Sequence, residues 1–103
     1  MNMNHNFGLP EQAIQKLESV FNAYPQIQRV IIYGSRAMGN YRKGSDIDLC
    51  IEAENLTFSE LMRMEEQIDD LLLPWSIDLS IKSHIDNPEL LEHIREYGKT
   101  FYP

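Results

Sequence analysis

Apolar residues recur along this chain at helical spacing, then at strand spacing, and then at each again. Ile14, Leu17, Val20, Phe21 and Tyr24 fall on one stripe of a helix over residues 10–24, with Pro10 and Glu11 suited to its first turn. The run RVIIYG, Arg29 to Gly34, is continuously apolar and β-branched, as expected of a buried central strand. In DIDLCIE, Ile47, Leu49 and Ile51 point one way while Asp46, Asp48, Cys50 and Glu52 point the other. SIDLSIK repeats the pattern, with Ile77, Leu79 and Ile81 opposite Ser76, Asp78, Ser80 and Lys82. Both strands are greasy on one face and polar on the other.

Between them lies a second helix. Thr57 and Glu60 have the spacing of a capping box, Leu56 and Leu61 that of a hydrophobic staple, and Leu61, Met64, Ile68, Leu71 and Leu72 form its apolar stripe. Asn87-Pro88 opens a last helix carrying Leu90, Leu91, Ile94 and Tyr97, and Gly98 is placed to end it. Lys99 to Pro103 is a tail able to serve as a short edge strand, and MNMNHNFG, residues 1–8, reads as a loose N-terminal arm. These elements predict an α+β (α/β) domain: a small mixed β-sheet with helices on one face and the other partly open. One domain over residues 1–103 accounts for the whole pattern.

Length and charge narrow the function. A chain of 103 residues buries one modest core, so a substrate site is expected to be open. Sixteen acids against nine Lys and Arg give a net charge of −7, which repels phosphate backbones and argues against general nucleic-acid binding. A lone cysteine, Cys50, excludes an internal disulfide, and neither a signal peptide nor a membrane-spanning run is evident, so a cytoplasmic protein without membrane contact is expected.

Against that acidity, Gly34 to Ser45 contains Arg36, Arg42 and Lys43 and no acid. Phosphates need such a positive, glycine-permissive cradle: Gly34 lets the backbone approach closely, and Ser35 offers its hydroxyl and N–H at the start of a short helix. Asp46 and Asp48 follow, one residue apart on a strand, so their carboxylates share a face. Hard oxygen donors so placed suit Mg²⁺, which completes its shell with waters and substrate phosphates. If the strand carrying Asp78 lies alongside, three carboxylates converge and can hold two metal ions around a phosphoryl group in transfer. A Walker A loop is excluded, because GSRAMGN has Asn40 where that motif needs lysine.

The Gly-Ser pair, ten residues, and then DID resemble the signature of the polymerase-β-like nucleotidyltransferase superfamily. The whole of YGSRAMGNYRKGSDIDLCI is similar to the minimal nucleotidyltransferases called MNT. The resemblance implies that fold, with ATP as nucleotide substrate and release of pyrophosphate. It further implies that Asp46, Asp48 and Asp78 are the catalytic and Mg²⁺-binding set, and that Gly34 and Ser35 hold the terminal phosphates with help from Arg36 and Ser45. MNT proteins resemble one half of a two-protein system whose other half is a helical HEPN toxin; the implied role is an antitoxin that attaches AMP to a tyrosine of that partner. Larger members carry a further domain that holds the acceptor, for which this length leaves no room. Two alternatives remain: a nucleotidyltransferase acting on a small molecule such as an aminoglycoside, and a nucleotide-binding subunit that only masks its partner.

His5, His84 and His93 lack metal-ligand spacing, and with Cys50 they are expected in ordinary packing or surface roles. Tyr33 is expected as a buried strand aromatic and Trp75 as packing where its strand begins. Arg42 and Lys43 are equally a phosphate cradle or a solvated turn. Met62 and Met64 fit either the core or a partner surface.

Overall fold

The computed structural model describes residues 6–103. Its elements run α1 (Glu11–Phe21), β1 (Ile27–Tyr33), α2 (Ser35–Met38), β2 (Ile47–Ala53), α3 (Phe58–Asp69), β3 (Ile77–Ile81), a 3-10 turn (Lys82–His84), α4 (Pro88–Tyr97) and β4 (Lys99–Tyr102). The four strands form one mixed sheet in the order β3-β2-β1-β4. β1 is central and antiparallel to both β2 and β4, whereas β2 and β3 are parallel. The tail is therefore the expected edge strand.

The alternation of β2 and β3 sorts their residues as expected. Leu49, Ile51, Leu79 and Ile81 join Val30 and Ile32 in a core closed by Leu17, Val20 and Phe21 of α1 and Leu61, Met64 and Ile68 of α3. α1 ends at Phe21, sooner than its apolar stripe, but Tyr24 stays buried and its hydroxyl donates to Gln67 Oε1 at 2.8 Å, tying the two helices together. α3 starts on the capping box foreseen for it: Thr57 Oγ1 accepts from the Glu60 N–H, and Glu60 Oε1 accepts from the Thr57 N–H. Leu56 and Leu61, the staple pair, are both buried. The stripe stops short of Leu72, which lies beyond the helix at φ 57° and is 86% exposed. Met64 is buried while Met62 is exposed, which separates that pair.

The opposite face departs from the expected polar surface. Ile31, Tyr33, Cys50 and Ile94 are buried together there, with Ile85 and Leu90 packed against them. The helices expected on one face are thus α1 and α3, and α4 adds a partial layer on the other. Cys50, aligned with Asp48 in the alternation, lies under this layer, and burial pushes its thiol up to about 11. α4 begins at Asn87, whose side chain accepts from the Glu89 and Leu90 N–H groups, and ends at Gly98. Gly98 lies so close to Ile94 O and the Ile31 side chain that a Cβ would strike both.

The foreseen N-terminal arm splits. Its first five residues lie outside the described residues, while Phe7 stacks on Phe101 with ring centroids 6.2 Å apart. Among the described residues, no helix is long and apolar enough to cross a membrane. Because α3 carries the chain from β2 to its parallel neighbour, its cap bears on the sheet as well as on the helix. Thr57→Ala is expected to cost about 1 kcal/mol, seen as a fall in melting temperature of about 4–8 °C by circular dichroism.

Candidate active site

Strand pairing brings together residues that lie far apart in sequence. Asp48 is the Cα partner of Asp78 across the parallel β2–β3 pair and of Tyr33 across the antiparallel β1–β2 pair. Asp46 immediately precedes β2, and the Ile47 N–H donates to Ser76 O at 2.9 Å, so pairing with the β3 segment begins beside Asp46. Asp46 and Asp78 are exposed and Asp48 is half-buried.

Asp48 responds to this setting. Burial, followed by the charges of Asp78 and Asp46, raises its carboxyl above the ordinary carboxylate range, with His93 pulling the other way. Tyr33, next along the row, is raised as well: burial is the main cause, a hydrogen bond with Ser80 opposes it, and Asp78 and Asp48 add their negative field. A row of groups that resist further negative charge is an environment in which a cation is favoured. The oxygen-only donor set fits Mg²⁺, which needs one or two carboxylates when substrate phosphates and waters supply the rest. Among the described residues no cluster of three His, Cys, Asp or Glu side chains closes a metal site by itself.

Gly34 and Ser35 stand at the end of β1 and the start of α2. Gly34 has φ 75° and ψ −155°, and a Cβ there would collide with Asp48 Oδ2, so glycine is needed both for conformation and for contact. Its carbonyl accepts from the Ala37 and Met38 N–H groups at 3.1 and 3.0 Å. Its N–H donates to His93 Nε2 at 3.1 Å, across 59 residues of sequence. The His93 ring lies edge-on to Tyr33, with centroids 6.1 Å apart, and 5.2 Å from Tyr97. His93, expected in an ordinary packing role, therefore touches the Gly-Ser turn. Sequence carries no signal for this contact beyond its place one helical turn from Tyr97.

Arg36 takes a position that its sequence context did not foretell. Expected beside the phosphates, it is instead 2% exposed, with its guanidinium turned into the protein. Nε and Nη2 donate to Ser45 O at 3.1 and 3.0 Å, Nη2 also to Lys43 O at 3.2 Å, and Nη1 to Phe7 O at 2.8 Å. Its charge lies over the rings of Tyr41 and Trp75, at 5.1 and 5.8 Å from their centroids. The Trp75 indole N–H donates to Lys43 O at 3.1 Å. Ser45, also expected at the phosphates, closes a turn: its hydroxyl oxygen accepts from the Arg42 N–H at 2.7 Å and its own N–H donates to Arg42 O. Together these contacts brace the loop that delivers Asp46. Arg42 and Lys43 are exposed.

Two outcomes are expected. Arg36→Met strands the carbonyls of Phe7 and Ser45, leaving Lys43 O with the Trp75 indole alone, and should cost about 2 kcal/mol or more in denaturant unfolding; Arg36→Lys, with no planar fork, should recover only part. For Asp48, a folded-state pKa above the unfolded value gives stability that is full below the unfolded pKa and lost as pH rises through the folded one. Asp48→Asn should therefore melt higher than the parent at neutral pH, and its advantage should shrink as the solution is acidified through the carboxylate range.

Comparison with known proteins agrees with this geometry. One relative, a Methanocaldococcus jannaschii protein named as a candidate protein adenylyltransferase, is 28% identical over 87 residues, covering 84% of this chain and 88% of its own. A solved toxin–antitoxin structure with AMP-PNP superposes with a TM-score of 0.68 at 23% identity, covering 90% of this chain and 73% of that one. Another, a tri-AMPylated Shewanella oneidensis HEPN toxin in complex with an MNT antitoxin, superposes at 0.65 and 17% identity, covering 88% and 70%. At these identities the two structures establish a shared fold. Residues 15–103 match the family described as Polymerase beta, Nucleotidyltransferase, and this chain, with Asp48 and Asp78 side by side beneath a Gly-Ser turn, belongs to that family.

Proposed function

We propose that this protein is a Mg²⁺-dependent nucleotidyltransferase that moves AMP from ATP to a tyrosine of a helical HEPN-type partner and so acts as its antitoxin. The observation that carries the reading is the register of three strands, which sets Asp48 beside Asp78 and packs it against Gly34. Support comes from the relative named for protein adenylylation and from the two toxin–antitoxin structures of the same fold.

In this reading Asp46, Asp48 and Asp78 would hold the metal, with substrate phosphates and waters completing its shell. When bound, Mg²⁺ supplies neutralisation of phosphate charge and lowers the pKa of the attacking hydroxyl. The chain's own contribution is placement. Gly34 and Ser35 hold the terminal phosphates, and Asp48, pressed against Gly34, keeps the carboxylates in register with them. Asp78 is exposed on β3, the edge strand beside β2, where an acceptor arriving from solvent can reach it. A new bond forms between the tyrosine oxygen and the α-phosphorus, the bond from that phosphorus to the pyrophosphate oxygen breaks, and the phenol proton leaves toward Asp78. Arg36 and Ser45 act on this reaction only through the loop they brace. The acidic surface, at −7 overall, leaves free nucleic acid a poor acceptor and a protein partner the better one.

The test is the intact mass of the HEPN-type partner after incubation with this protein, ATP and Mg²⁺. Mass gains in AMP-sized steps are expected with the parent. The Asp46→Asn/Asp48→Asn pair should reduce them by more than the roughly 10–100-fold that outer-shell partners of a metal cost. A stable complex with no mass gain from either protein would replace transfer with masking. Turnover of an aminoglycoside without any partner would move the acceptor to a small molecule.

A further inference from the structure

A glycine that is free to adopt φ 75° is equally free to leave it. Gly34 has no side chain to bias its backbone, and both signs of φ are open to it. Yet the direction of the chain at this residue decides where Ser35 stands relative to Asp48, whose Oδ2 lies against the Gly34 Cα. Something outside the turn has to hold it.

The carbonyl side is held by α2, through the bonds from Ala37 and Met38. On the amide side, β1 pairs with β2 as far as Tyr33 and Asp48. The next N–H, that of Gly34, is taken by His93 Nε2 at 3.1 Å. α4 does not need this bond for its own seating, since Ile94 is buried against Ile31 and Cys50 and its first turn is capped by Asn87. His93 is itself fixed in orientation by Tyr33 on one side and Tyr97 on the other.

We propose that His93 is a positioning residue of the nucleotide site, its Nε2 holding the Gly34 peptide so that Ser35 and Asp48 meet the nucleotide from fixed positions. This rests on the nucleotide reading above. His93 touches neither nucleotide nor reacting atoms and acts through Gly34. It also makes α4, otherwise a cover over the second face of the sheet, a part of the site. Removing the acceptor releases a half-buried N–H and frees the one residue in the turn with no conformational preference, a loss on the order of tenfold in binding.

The experiment is calorimetric titration of the full chain with Mg²⁺ and AMP-PNP, for the parent and for His93→Ala, His93→Phe and His93→Gln, alongside amide hydrogen exchange at Gly34. Phenylalanine keeps a ring between Tyr33 and Tyr97 and offers no acceptor; glutamine offers an acceptor without the ring. The expected result is about tenfold weaker binding for Ala and Phe and near-parental binding for Gln, with faster Gly34 exchange in the two weak binders alone. Parental binding by His93→Phe, or Gly34 exchange unchanged in it, would overturn the proposal and leave His93 a packing residue. Loss of binding in His93→Gln with Gly34 still protected would overturn it too. If the parent binds no AMP-PNP, the nucleotide site itself falls and this inference falls with it; binding by the parent at equal strength in all three variants removes the inference alone.

Discussion

Like charges side by side are the constraint on which this structure turns. Asp48 and Asp78 are neighbours because β2 and β3 run parallel, and parallel strands cannot be joined by a tight turn. The chain must leave the sheet after Ala53, cross over the core as α3, and return at Ile77. The capping box at Thr57 and the Leu56–Leu61 pair set where that crossing begins, and Met64 and Ile68 press it into the core. An ordinary-looking amphipathic helix thus carries the cost of holding two carboxylates together. Stability is traded for placement, as is common where a site must be ready before its ligand arrives.

The concentration of basic residues just ahead of the aspartates has a divided explanation. Arg42 and Lys43 are exposed and remain available to anions, whereas Arg36 spends its charge inside the protein on three carbonyl oxygens and two aromatic faces. A buried guanidinium is tolerable when its nitrogens are hydrogen-bonded, and here four bonds engage all three of them. The loop from Gly39 to Asp46 has no regular structure of its own, so without such an internal clamp Asp46 would be delivered by a mobile segment. The positive charge serves the site by shaping the approach to it, and only in part by meeting phosphate.

Much of this was legible from the order of residues, and the limits have physical causes. Alternation in DIDLCIE and SIDLSIK showed which residues share a face, because side-chain direction along a strand depends only on local geometry. It did not show register, which comes from pairing across α3. Cys50 illustrates the same limit: a polar-face position two residues from Asp48 is interior because α4 settles on that side. Leu72 failed in the opposite sense, since a helical stripe says nothing about the residue where the backbone turns to φ 57°. Arg36 marks another limit, because a basic residue beside a Gly-Ser pair looks the same in sequence whether its fork faces a phosphate or a carbonyl. His93 was invisible, since its partner is a backbone N–H 59 residues away.

That last contact changes what α4 is for. A four-stranded sheet with α1 and α3 on one face already has a core, and the second cluster, Ile31, Tyr33, Cys50 and Ile94, is the smaller of the two. Its value lies in position. Tyr33 ends β1 beside Asp48 on one strand and beneath His93 on the helix, so the small cluster and the row of carboxylates share a residue. The helix can seat only if Gly98 has no side chain, and β4 can pair with β1 only after the helix has ended there. Helix, turn and edge strand consequently form one unit, in which the last fifteen or so residues, by closing the fold, also hold the glycine at its opening turn.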